Sequence, residues 1–225
     1  MPVYNELGCI EKVIKSWITT TSKFPGSEIL VINDGSTDGT EKILDKYSNR
    51  YSSLKVIHKK NEGHGKTLVK AYSIAIKSNH DWIFQVDSDN QFVAKDFYKL
   101  WRYRKISNFV LGKRHNRKDP LYRIILSSIL KLFLFLLFGK NCGDSNIPFR
   151  LIKKTYLKKL LQKVPKNVFA PNIFLTILAA KDNLNLINVP VVHLQRKTGK
   201  STLYSWKYIK SGLRVAKEIL CFRFC

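Results

Sequence analysis

Short apolar runs alternate along the chain with longer amphipathic stretches. Glu28 to Asn33, Leu54 to His58, Trp82 to Val86 and Phe109 to Gly112 are rich in β-branched and aromatic residues, and each runs into a polar turn. Between them, apolar positions at helical spacing predict helices over Ile10 to Ile18, after an N-cap at Thr37 or Asp38, over Lys66 to Lys77 and near Lys95 to Arg104. Helices are further expected over Lys153 to Gln162 and Pro171 to Lys181, with a last strand at Leu186 to Val192 and a basic amphipathic helix over 203–223. Strand followed by helix, repeated, predicts an α/β, mostly parallel, doubly wound sheet, with ligands outside the carboxyl ends of its strands. With no internal repeat, low-complexity tract or linker, a single domain over 1–225 is expected.

One stretch breaks this rhythm. Leu121 to Phe138 is the most apolar segment, yet Arg123 and Lys131 lie inside it, and a membrane span needs about 20 mostly apolar residues. Arg123, Ser127 and Lys131 fall at i, i+4 and i+8, a polar stripe on a broadly apolar helix. That describes an amphipathic helix lying in a bilayer interface, its cations meeting lipid phosphates. A buried core helix is the competing reading; the unbroken run Leu132 to Phe138 favours the membrane.

Charge narrows the partners. Lys plus Arg number 40 against 16 Asp plus Glu, a net charge of +24, which calls for an anionic partner: nucleic acid, an acidic membrane surface or a phosphorylated substrate. Nucleic acid is set aside, because the chain offers no reading helix, zinc site or aromatic RNA-binding motif. Cys9, Cys142, Cys221 and Cys225 form no CxxC pair and read as reduced thiols. Met1 to Glu6 has neither the basic nor the apolar part of a signal peptide, so a cytoplasmic setting is expected.

The Trp82 to Val86 run ends in Asp87-Ser88-Asp89-Asn90-Gln91. Carboxylates at i and i+2 project to one side of an extended chain and suit a hard divalent cation, although a lone DxD reads more readily as a solvated strand end, and its neighbours have to decide. Asn33 to Thr40 (NDGSTDGT) is a turn that a nucleotide can approach closely, with Asp34 accepting from base or ribose. Gly63-His64-Gly65-Lys66-Thr67 is not a phosphate-binding P-loop, since only His64 separates the glycines; they are expected to let a helix begin tight against the sheet. Lys113 to Lys118 reads as a cationic loop. Asp144 follows the apolar helix, where a general base would be useful. Pro2 to Glu6 reads as the exit of a strand whose body is missing, with Asn5 as a capping candidate.

Taken together, PVYNE at 2–6, NDGSTDGT at 33–40, NEGHGKT at 61–67, DSDNQ at 87–91 and RKTGKS at 196–201 resemble the family 2 inverting glycosyltransferases. Within them the chain is similar to the branch of dolichol-phosphate mannose synthases and bacterial polyprenyl-phosphate glycosyltransferases. The resemblance implies a GT-A fold, a nucleotide-sugar donor, a polyprenyl-phosphate acceptor and Mg²⁺ or Mn²⁺. It implies nucleotide contacts from Pro2, Tyr4, Glu6, Asn33, Asp34, Asp87 and Ser88, and a metal held by Asp89 and Gln91. Arg114 and Arg123 correspond to arginines that meet the acceptor phosphate; Arg196 and Lys200 to cations that close over the diphosphate. Asp144 would serve as base only if the acceptor were a sugar hydroxyl of a glycan. The family carries a central strand before the Pro-Val-Tyr-Asn-Glu segment, which makes an inactive homologue a rival reading. Several bacterial relatives carry two C-terminal membrane helices, and without them the protein is expected to be peripheral, at the inner face of the cell membrane.

Overall fold

The computed structural model describes residues 1–115, 120–165, 167–182, 186–196 and 205–224. Two groups of strands carry the core. β1 (Pro2–Val3), β2 (Ile29–Asn33) and β3 (Leu54–His58) pair in parallel in the order β1-β2-β3. β4 (Trp82–Val86), β5 (Phe109–His115), β6 (Phe149–Lys153) and β7 (Ile187–Val192) form the order β4-β6-β5-β7. β5 and β7 are parallel, whereas β6 runs antiparallel to both of its neighbours. The mixed α/β, mostly parallel architecture is as expected; the antiparallel strand is new. Phe149–Lys153 is interrupted by Arg150, which disguises a strand that is buried on both faces. Pro190 sits in β7, at the edge of its sheet, where a missing N–H costs no ladder bond.

Helices cover these strands with the faces the spacing predicts. α1 (Ile10–Thr21) buries Ile10, Val13, Ile14 and Trp17; α2 (Thr40–Arg50) buries Leu44 and Tyr47; α3 (His64–Ala75) buries Leu68, Ala71 and Tyr72. The Lys95 to Arg104 region resolves into α4 (Phe97–Trp101) flanked by 3₁₀ turns. After α5 (Leu121–Phe138) come α6 (Lys154–Leu161) and α7 (Pro171–Lys181), mostly apolar, with Asn172 and Thr176 its polar exceptions, and buried from Pro171 to Ala180. α8 (Ser205–Phe224) packs beside α5, with the Arg223 Nε–H donating to the Leu137 carbonyl at 3.1 Å.

Local expectations need correcting at several points. Pro2 and Val3 are themselves strand rather than only a strand exit: they pair with β2, and the Met1 ammonium donates to the Leu30 carbonyl at 2.9 Å. Asn5 does not cap α1, whose N-cap is Cys9; it accepts from the Thr37 N–H at 2.8 Å instead. The N-cap of α2 is Gly39, at φ 95°, and Asp38 accepts from the Thr40 N–H at 3.0 Å. Lys113 and Arg114 belong to β5 rather than to a loop, and 116–119 lie outside the described residues.

The largest correction concerns α5. At 100° per residue, Leu121, Ile125, Ile129, Leu132 and Leu136 share one face, and they are 71, 50, 56, 59 and 73% exposed. Arg123 and Ser127 are half-buried on the opposite side, with the fully buried Leu134. The polar stripe expected toward lipid headgroups therefore turns inward, except for the exposed Lys131, and the outward face is apolar.

Gly65 shows how tightly α3 begins. A Cβ there would lie 2.6 Å from the carbonyl oxygens of both Val168 and Phe169, so the close approach is to that segment, not to the sheet. Gly65→Ala is expected to destabilise the fold by about 1–3 kcal/mol, the range for overpacking against atoms that cannot yield. Urea unfolding of the two proteins measures it, and an unchanged midpoint would refute the packing account.

Candidate active site

The segments that follow β1, β4 and β7 converge. β4 delivers Asp87, buried Ser88 and Asp89, and Gln91 then fastens this turn to the exit of β7. The Leu194 N–H donates to the Gln91 carbonyl at 2.8 Å, Gln91 Nε2 donates to the Leu194 carbonyl at 3.2 Å, and Phe92 and His193 form an antiparallel bridge. The link carries Arg196 to the carboxylates. Its Nη2 donates to Glu6 Oε1 at 2.7 Å, and its Nη1 lies 3.8 Å from Asp89 Oδ2. Lys200 lies outside the described residues.

The local field is strongly negative. Burial, and then the adjacent Asp87 carboxylate, push Asp89 up to about 6. Burial likewise raises Glu6, against the opposing pull of Arg196. Crowded oxygen donors that are costly to ionise together suit a hard divalent cation, which would relieve the repulsion. Asp89, with Gln91, fits the expected holder. A separate group, Glu41, Asp45 and His58, lies between α2 and β3 with ligand atoms within 4.8 Å of one another. No spacing in the sequence reveals it, because strand pairing brings His58 there.

The nucleotide-motif residues divide by environment. Asp34 is buried: its Oδ1 accepts from the Lys59 ammonium and, at 3.0 Å, from the Glu62 N–H, and its Oδ2 accepts from the Gly63 N–H at 3.0 Å. Burial alone would raise this carboxyl, but those donors outweigh it and hold it below its ordinary value. Asp34 thus shapes the β3–α3 turn. Asn33, fully buried, accepts from the Ser36 N–H at 3.1 Å and sits 2.9 Å from His58 Nδ1. Pro2 is buried within β1, and Tyr4 is exposed just beyond it.

Arg114 and Asp144 meet each other. Arg114 Nη1 donates to both carboxylate oxygens of Asp144 at 3.0 Å, tying the strand before α5 to the loop after it. Arg123 is half-buried on the first turn of α5. Arg150, not expected at the site from sequence, is fully buried behind it. It donates to the carbonyls of Ser145, Ile147 and Asn172 and to Thr176 Oγ1, and burial lowers it to about 10. An arginine interrupting an apolar strand was the available signal.

Because Asp89 favours its proton in the folded chain, folding is penalised as pH rises from about 4 through about 6. Asp89→Asn removes that charge. In metal-free protein it is expected to be more stable than wild type near neutral pH, by on the order of 3 kcal/mol at about 1.4 kcal/mol per pKa unit, and equal to it below about pH 4. Thermal unfolding across that range checks the sign; a difference independent of pH would refute it.

Comparison with known proteins bears on the family and the fold. The model of glycosyl transferase family 2 matches residues 1–165. The undecaprenyl-phosphate 4-deoxy-4-formamido-L-arabinose transferases of Salmonella typhimurium and Proteus mirabilis are 27% and 23% identical over 205 residues, 89% of this chain and 60% of theirs. The chain thus spans about 60% of the length of these curated relatives. Glucosyl-3-phosphoglycerate synthase from Mycobacterium tuberculosis, solved with Mn²⁺, UDP and glucosyl-3-phosphoglycerate, superposes with a TM-score of 0.72 at 17% identity, covering 99% of this chain and 77% of that one. Mannosyl-3-phosphoglycerate synthase from Rubrobacter xylanophilus gives 0.65 at 12% identity, covering 98% and 71%. The fold is therefore GT-A, and with the family model spanning Met1 through the β6–α6 region, the chain belongs to glycosyl transferase family 2.

Proposed function

We propose that this chain is one catalytic domain that transfers a sugar, with inversion, from a nucleotide-sugar donor to a polyprenyl phosphate at the cytoplasmic face of the cell membrane. The observation that carries the reading is the outward apolar face of α5. Its helix begins next to Arg123 and shortly after Arg114, so cations suited to a lipid phosphate adjoin a surface suited to lipid. The exposed Ile209, Leu213, Leu220 and Phe224 of α8, with exposed Lys210, Lys217 and Arg223 on the same helix, extend the case for an anionic membrane surface. By length and composition α5 could cross a bilayer. Pairing of Arg114 with Asp144 supports a helix lying flat, because a crossing would carry those two residues to opposite sides.

Departure of the nucleoside diphosphate builds negative charge at the DxD end of the site. Mg²⁺ or Mn²⁺, held by Asp89 and Gln91, would supply electrostatic stabilisation there. Arg196 needs only to leave Glu6 and Asp89 to pair with the same diphosphate, and Lys200 is expected to join it. Asp87 and the β2–α2 turn face the nucleotide. An anionic acceptor attacks the anomeric carbon from the opposite face without surrendering a proton. A sugar-hydroxyl acceptor would need a base, and Asp144 is already committed to Arg114 through both oxygens.

Incubating the protein with polyprenyl phosphate, Mg²⁺ or Mn²⁺ and a panel of UDP- and GDP-sugars is expected to yield a glycolipid from one donor; no product from any donor refutes the reading. Asp144→Asn is expected to keep turnover within about tenfold of wild type, whereas loss of a general base costs about 10²–10⁴-fold. Steady-state kinetics at saturating donor separate the two. Leu132→Glu with Leu136→Glu is expected to weaken binding to anionic vesicles at least about tenfold, from about 1.5–3 kcal/mol per leucine, with an unchanged melting temperature. Cosedimentation that the pair leaves intact would count against docking through α5.

A further inference from the structure

Three polar side chains where α3, β4 and α7 meet are buried and hydrogen-bonded in series. Tyr72, Gln85 and Asn172 are 2, 3 and 3% exposed. Tyr72 Oη donates to Asn172 Oδ1 at 2.9 Å, Asn172 Nδ2 donates to Gln85 Oε1 at 3.2 Å, and Gln85 Nε2 donates to Asp87 Oδ1 at 3.0 Å. The direction of the series is set by the Asp87 carboxylate, which only accepts, and the Tyr72 hydroxyl completes it at the far end. Burial pushes the Tyr72 phenol well above its ordinary range, so it remains a neutral donor. With the phenol donating, Asn172 turns its oxygen to Tyr72 and its amide to Gln85, and Gln85 in turn presents its amide to Asp87. The reverse order would set a carbonyl against a carboxylate. Asn172 is itself anchored, since its backbone carbonyl accepts from Arg150 Nη1 at 3.0 Å.

Apolar side chains would fill this wall without the cost of burying a phenol and two amides. We propose that Tyr72, Asn172 and Gln85 are positioning residues for Asp87: by holding its Oδ1 against the protein, they fix the orientation in which the carboxylate meets the nucleotide donor. The proposal rests on the reading of Asp87 as nucleotide-facing and extends it to two helices outside the motif. It differs from a polar plug that merely fastens α7 to β4. Tyr72 forms no bond to Asp87 in the series, yet removing its hydroxyl leaves the buried Asn172 carbonyl without its donor and loosens the Asn172–Gln85 link that fixes where Gln85 presents its amide to Asp87.

The test uses the full chain, labelled with ¹³C at the aspartate carboxyl carbon, with the Asp87 signal identified by its loss in Asp87→Asn. Tyr72→Phe and Gln85→Met, which nearly conserve volume, are each expected to shift that signal in metal-free protein. Each is also expected to weaken binding of UDP or GDP in the presence of Mn²⁺ about tenfold, the lower end for a hydrogen bond to a charged group. In the Asp87→Asn background neither is expected to weaken nucleotide binding further, because their effect passes through Asp87. A lower melting temperature with an unmoved Asp87 signal overturns the proposal. If Tyr72→Phe does not fold, Gln85→Met decides by the same signal. If wild type binds neither nucleotide while the variants still move the signal, the donor reading fails and the positioning series stands.

Discussion

The site is organised around a conflict of like charges. Asp87 and Asp89 leave β4 one residue apart, and Glu6 is brought close enough to share Arg196 with Asp89. Burial raises the cost of ionising Asp89 and Glu6, so the folded chain must bring positive charge to them. Arg196 answers part of that need from the far end of the sequence, held by the Gln91–Leu194 pairing. The remaining carboxylate, Asp87, accepts from Gln85 Nε2 at 3.0 Å.

Arg150 plays the corresponding part in the scaffold. Its buried guanidinium gathers carbonyls from the loop after α5 and from the start of α7, and so fixes both around β6. That loop carries Asp144, whose pairing with Arg114 closes the chain on either side of α5. Holding α5 at both ends while leaving its outer face bare produces a helix that is structurally secured yet apolar toward solvent. Polar satisfaction inside and apolar exposure outside thus follow from one arrangement.

Much of this was legible before any coordinates. Runs such as Ile29–Asn33 and Trp82–Val86 read as strands because β-branched and aromatic residues cluster there, and α7 was bounded correctly by Pro171 and Lys181. The strand at Phe149–Lys153 was missed because Arg150 looks like a surface charge until its acceptors, distant in sequence, surround it. The stripe on α5 was recognised and its direction was not, since periodicity specifies which residues share a face but not which face meets the protein.

The sequence by itself determined the chemical groups available: carboxylates at a strand end, a glycine-rich turn and an excess of cations are local in the chain or additive over it. The tertiary structure alone decided the pairings. That Arg196 stands by Asp89, that Asp144 is held by Arg114, and that Asn172 and Tyr72 stand behind Gln85 all depend on contacts between distant segments. Such contacts are set by how whole elements pack to bury apolar surface, and no window of sequence contains both partners.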